Sequence, residues 1–429
     1  MTQAEASGPI PQAASARGAA RGRPPVLFAM GFRPFFLAAA GYAVLSSLVW
    51  LLVLNEVLGW VWPLGGSPGQ WHAHEMIFGV MMAVVAGFVL TAARSWTGQP
   101  TVHGGWLAGL VGVWLAGRLV PLALALVPGI PLPPPAVLVG VQLSFPLLLI
   151  VGLARPMWVA RYRRGLPVLA VLGALAACSA LFWLNVVGVT RSAWAWSSLQ
   201  VAVHVLVLLC VVIGGRIVPL FSRNRLGDPQ IRSVPEVDRL ALLLAAAVVL
   251  LVAAVTAPPS GVSAGGGATK AVGVALVASG VTQLVRMRTW GTAKALRVPM
   301  LAVLHVGYGW IGVGQLLVGA SWLGVGPSMA EALHALTLGA LGTLTLGMVA
   351  RVTLGHTGRE IVAPGAVIAA FVLVQLATLS RLLPAVAPLP AAYELGYTAS
   401  SLLFGAAWLL WLLHGAGPLT SPRPDGRPG

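Results

Sequence analysis

WHAHEMIFGVMMAVVAGFVLTAARSWTG, residues 71–98, decides the fold. From Met76 to Ala93 it carries no charged side chain. A hydrocarbon core about 30 Å thick needs about 20 apolar residues per helix, so this stretch predicts a membrane span. Eleven further segments read the same way. The twelve predicted spans lie at roughly 35–54, 72–93, 105–126, 136–154, 166–187, 196–215, 239–257, 270–287, 298–318, 329–350, 362–383 and 391–413. Composition agrees. Apolar residues make up 58% of the chain and charged residues 8%, with a mean hydropathy of +0.89. A soluble domain carries about 25% charge, so 429 residues of this kind have too little polar surface for water.

The net charge of +16 does not point to nucleic acid, because no basic block with interleaved aromatics exists and 24 of the 26 cations are scattered Arg. It follows membrane topology instead. One set of connecting segments, with the N-terminal region and Arg33, holds 22 of the Lys and Arg residues. The other holds Arg191, Lys270 and Arg381, and Arg118 falls within a span. The positive-inside rule then places both termini in the cytoplasm. Trp60, Trp62, Trp71, Trp194, Trp196 and Trp322 fall at the opposite ends, where an interfacial belt is expected. Residues 1–28 read as a cytoplasmic tail without the apolar run of a signal peptide, 29–414 as the membrane domain, and 415–429 as a second tail. Cys178 and Cys210 form neither a disulfide framework nor a CxxC metal site.

Ionisable groups inside a membrane are costly and mark function by default. Here they are His72, His74 and Glu75 in span 2, Arg118 in span 3, His204 in span 6, His305 in span 9, and Glu331 and His334 in span 10. Spans 2, 6 and 10 run from outside to inside, so His74, His204 and His334 all fall in the outer half. These three are spaced evenly, 130 residues apart. At an offset of 260, His74, Gly79, Gly87, Thr97 and Gly98 match His334, Gly339, Gly347, Thr357 and Gly358. The spacing predicts three units of four spans, with the histidines of the second helices converging on a metal. Imidazole is the commonest metal ligand and serves haem iron and copper alike. A single imidazole that only hydrogen-bonds a neighbouring helix is the plainer alternative, worth about 0.6 kcal/mol. His72 and His74 lie about 200° apart on a helix, so only one faces a given ion. Glu75 shares a face with His72, and Glu331 with His334, as carboxylates that orient an imidazole. His103, His356 and His414 lie at cytoplasmic ends, and Met76, Met81 and Met82 read as core.

GFRPFF (31–36), WHAHEMIFG (71–79), AGFVLTAARSWTG (86–98), GGRIVPLFSRN (214–224), LHVGYGW (304–310) and HALTLGALGTLTLGMVARVTLGHTGR (334–359) closely resemble the NnrS family. These are bacterial polytopic membrane proteins associated with denitrification and nitric oxide stress. The resemblance covers nearly the whole chain. It implies twelve spans, bound haem and copper, and protection from nitric oxide and nitrosated products. The family's histidine positions appear here as His72, His74, His204, His305, His334 and His356. One departure is visible: AARSW stands after span 2 where a Pro-Asn pair before the Trp is expected. The layout also looks like that of haem–copper oxidases, twelve helices in three arcs of four, although a likeness of fold does not establish activity.

The leading expectation is therefore an all-α polytopic membrane protein that binds haem and copper. Nitric oxide or a related small redox ligand is held at histidine-ligated metal in the outer half of the bilayer. His72, His74, His204, His305 and His334 are the candidates for cofactor binding, with His74, His204 and His334 on the metal and Glu75 and Glu331 behind them. The rivals are a twelve-span secondary transporter, for which broken helices or midplane charges are expected, and a metal-binding accessory protein without turnover.

Overall fold

The computed structural model describes residues 25–59, 66–127, 129–190, 193–257, 266–387 and 389–427. Within them are twelve helices long and apolar enough to cross a bilayer: α1 Phe32–Leu54, α2 Pro68–Thr97, α3 Gly104–Leu126, α4 Pro135–Val159, α5 Arg163–Val186, α6 Trp194–Leu226, α7 Pro235–Thr256, α8 Gly267–Thr289, α9 Pro299–Trp322, α10 Met329–His356, α11 Gly365–Val386 and α12 Pro390–Thr420. The chain is a multi-pass membrane protein. The twelve predicted spans are all present. Most of the tail ending at residue 28, along with Trp60, Trp62 and Arg191, lies outside the described residues.

Burial sorts the helices. The most apolar window of α2 is 83% buried, that of α10 67% and that of α6 61%, against 22% for α7 and 33% for α4 and α12. Three of the four histidine-bearing spans are thus inner helices, and the fourth, α9, is buried to 61%. Successive helices pack on one another, and α12 returns to pack against α1, which closes the bundle.

Two of the predicted units share construction. α2 widens into i→i+5 turns over Glu75–Met81 and α10 over Ala335–Gly342, starting 260 residues apart. In each, a glycine admits an aromatic ring from the preceding helix. A Cβ at Gly79 would lie 2.6 Å from Tyr42, and one at Gly339 would lie 2.7 Å from Trp310. About two turns further on, Gly87 meets Phe36 and Gly347 meets Val303. Both helices end at a left-handed glycine, Gly98 (φ 66°) or Gly358 (φ 70°), which such a turn requires. The middle unit does not repeat this, because α6 is α-helical from Ala193 to Leu226. A likeness between the first and third units is what the structure contains.

Two ends differ from expectation. α12 runs to Thr420, past the predicted tail boundary at 414, because Arg33 caps it. Arg33 Nη1 donates to the carbonyls of Leu419 (2.8 Å) and Ser421 (3.0 Å), groups a helix end leaves unsatisfied. Trp71 is buried at 3% exposure beside Val49 and Leu122 rather than lying in an interfacial belt. Trp196 is exposed, as such a belt requires. At the other side, Gly214 and Gly215 serve packing. Tyr308 lies against the first, and the Arg286 guanidinium lies 2.1 Å from where a Cβ at the second would stand. Reporter fusions near residue 325 are expected to read outside and those near 160, 228 and 292 inside. A cytoplasmic signal near 325 would break the twelve-span topology.

Candidate functional site

The N-terminal end of α2 is set by its first turn. The Ser67 hydroxyl accepts from the Gln70 N–H (3.2 Å), Gln70 Oε1 accepts from the Ser67 N–H (2.9 Å), and Pro68 opens the helix. This cap starts α2 four residues before the predicted span and brings His72 and His74 inside the bundle. The i→i+5 turns that begin at Glu75 rotate each residue less than an α-helix does, so neighbouring side chains diverge less. His74 and Glu75 consequently meet, with His74 Nδ1 2.8 Å from Glu75 Oε1. The expected i,i+3 pairing of Glu75 with His72 does not form.

Glu75 is 1% exposed and anchors a network across four further helices. Its Oε2 accepts from the Tyr42 hydroxyl of α1 (2.6 Å) and from Arg118 Nη1 of α3 (3.0 Å). Arg118 Nη2 donates to Gln142 Oε1 of α4, and Gln142 Nε2 donates to the Gly117 carbonyl (2.6 Å). On the other side, Trp183 Nε1 of α5 donates to His74 Nε2 (3.0 Å), while Phe182 stacks on the imidazole at 4.4 Å. Both His74 nitrogens are therefore engaged. His74 with Nδ1–H toward the carboxylate and a lone pair toward the indole is neutral and satisfied.

The N-terminal end of α10 has related parts in a looser arrangement. Ser328 caps the helix. Glu331, 2% exposed, accepts from the Ser328 hydroxyl and from the Tyr397 hydroxyl of α12 (3.3 Å). Arg381 of α11 approaches Glu331 Oε1 to 3.8 Å, with its guanidinium 3.6 Å from the centre of the Tyr397 ring. Arg381 was expected as an outer loop charge; it is a buried partner of the α10 carboxylate. Glu331 does not reach His334, whose Nδ1 instead donates to the Ala330 carbonyl (2.6 Å), leaving Nε2 without a hydrogen bond. His72 stacks on Trp50 at 4.4 Å, and its buried Nδ1 has no partner. His72, His334 and Arg381 lie within electrostatic reach of one another.

The remaining candidates divide the same way. His204, buried in α6, has an unpartnered Nδ1, and α6 packs against both widened segments. His305 is satisfied at both nitrogens, by Ser222 Oγ (2.8 Å) and Thr292 Oγ1 (3.1 Å), near the N-terminal end of α9. His103 and His414 are exposed, and His356 packs on Phe32. Among the described residues, no three His, Cys, Asp or Glu side chains are placed to hold one ion. The predicted meeting of His74, His204 and His334 on one centre is thus absent, because His74 is turned into the Glu75 network.

Sequence reasoning singled out Glu75, Arg118 and Glu331 but missed Tyr42, Gln142, Trp183 and Tyr397. Deeper along these helices, α2, α6 and α10, with Phe36 of α1 and Leu304 of α9, line a partly open apolar cavity of about 80 Å³, whose walls include Val85, Phe88, Cys210 and Met348. It begins about ten residues past His74, roughly 15 Å deeper along α2. No curated protein matches the chain. The sequence model described as NnrS protein matches residues 26–423, nearly the whole chain, and takes in every helix just described. The chain belongs to the NnrS family.

Proposed function

We propose that this protein binds haem and copper in the inner membrane of a bacterium and acts in nitric oxide metabolism or protection from nitrosative stress, with both termini in the cytoplasm. Family membership supports the nitric oxide response. The observation that carries the cofactor reading is the pair of buried, unpartnered imidazole nitrogens His72 Nδ1 and His204 Nδ1 on two inner helices, with His334 on a third using only its Nδ1. Buried polar atoms are hydrogen-bonded as a rule, and exceptions need a reason. Imidazole nitrogen suits haem iron and copper, so the donor chemistry fits both groups.

On this reading His72, His204 and His334 are the ligands. His74 and His305 hold helices together, their nitrogens being already committed. Metals bound at these imidazoles would supply centres that hold an uncharged gas and exchange electrons. Trp50 fixes the plane of the His72 ring by stacking, and the Ala330 carbonyl fixes the His334 tautomer so that Nε2 keeps its lone pair. The cavity below gives nitric oxide an apolar resting place. At about 80 Å³ it exceeds the roughly 30 Å³ share of one water but falls far short of the roughly 300–1,000 Å³ of a cofactor pocket. It admits diatomic molecules and excludes a macrocycle.

The test is a visible spectrum with metal analysis of detergent-purified protein from haem-replete cells. A Soret band and stoichiometric copper are expected. A colourless, iron-free protein would remove the reading and promote the transporter alternative.

A further inference from the structure

The Glu331–Arg381 pair differs from the Glu75–Arg118 pair in one respect that matters chemically. Arg118 is engaged at both terminal nitrogens, by a carboxylate at 3.0 Å and by Gln142. Arg381 is not. Its side chain is 9% exposed, its Nη1 has no hydrogen-bond partner, and the nearest carboxylate oxygen stands at 3.8 Å, beyond hydrogen-bond length. The cause lies in the fourth helix of each unit. Gln142 offers Arg118 an amide oxygen, whereas Tyr397 offers Arg381 the face of a ring and directs its hydroxyl to Glu331. Glu331 is also held by Ser328, so it is not free to close the gap.

A buried guanidinium N–H without an acceptor is costly. His72 and His334 lie within electrostatic reach of Arg381, and His72 Nδ1 is a further buried polar atom without a partner. An uncharged gas makes no use of a guanidinium. A planar oxyanion does, because the fork of donors matches two coplanar oxygens.

We propose that Arg381 forms a binding site for a monoanionic planar oxygen group at the outer end of α10 and α11, beside His72 and His334. The group is either a free inorganic oxyanion or the carboxylate of a bound cofactor. The site adjoins two imidazoles of the metal site proposed above, but anion binding at Arg381 does not require metal.

Nitrate and nitrite are the probes for the free anion, titrated calorimetrically into the full-length purified protein at constant ionic strength, with iron and copper measured on the same samples. Saturable nitrate binding is expected in the wild type. Arg381→Gln is expected to weaken it at least tenfold, Arg381→Lys less, and Lys270→Gln, at an exposed outer position, not at all. Arg381→Gln strands Glu331, so the double variant Arg381→Gln/Glu331→Gln, which removes both charges, is measured beside it and is expected to fold without binding nitrate. The second arm compares retention of haem with that of haem dimethyl ester. Retention of haem at least tenfold better than the ester in the wild type, and equal retention in the Arg381 variants, identifies the carboxylate of the cofactor as the occupant. Nitrate affinity unchanged in both Arg381 variants, or no discrimination by either probe, would overturn the site. A protein free of iron and copper that binds nitrate through Arg381 would keep this inference and remove only the metal reading.

Discussion

Replacing Arg118 by Gln is expected to destabilise the protein by about 3–5 kcal/mol, the cost of leaving a buried charge without its partner. Glu75 is 1% exposed and sits among five helices of the bundle. Of its three donors, Tyr42 and His74 supply hydrogen bonds and Arg118 supplies the charge that neutralises it. The loss is large against a typical total stability of about 5–15 kcal/mol, so the variant is expected to accumulate poorly and to melt early in detergent. The double variant Glu75→Gln/Arg118→Gln removes both charges and is expected to recover most of the loss. Thermal midpoints of the four proteins close the cycle. Additive effects of the two substitutions would show that the pair does not act as a unit.

His334→Ala and His72→Ala are expected to lower bound metal by more than about tenfold, because even the supporting partners of a metal ligand act on that scale. The substituted proteins should still insert, since a neutral side chain does not set topology. His74→Ala is expected to behave differently. It removes the partner of Glu75 Oε1 and of the Trp183 indole, so it lowers stability while metal content holds. His103→Ala is expected to change neither. Iron and copper per protein, measured beside melting, separate the outcomes. Loss of metal from His74→Ala with full retention in His72→Ala would reverse the assignment of the two span-2 histidines.

The twelve spans were legible because each is an apolar run that only a bilayer accommodates, and the inner position of α2, α6 and α10 followed from where the histidines fall. The spacing of His72 and His74 showed that one of them faces away from any shared centre, but not which. That choice depends on Tyr42, Arg118 and Trp183, which come from other helices and leave no mark in local periodicity. The widened turns of α2 and α10 were equally hidden, since they depend on rings packed onto Gly79 and Gly339. The Ser67-Pro68 start of α2 was readable from capping chemistry, yet it lies ahead of the apolar window that set the predicted boundary. Arg381 looked like a loop cation because it falls near the end of its span, and only the fold places Glu331 and Tyr397 beside it.

The central claim is that the unused imidazoles of the inner helices hold a metal that meets nitric oxide. Its most direct test is to add nitric oxide anaerobically to the reduced, purified protein and record the Soret band. A saturable shift that disappears in His334→Ala is the predicted result. A Soret band that does not respond to nitric oxide, or one that responds identically in His334→Ala, would contradict the claim.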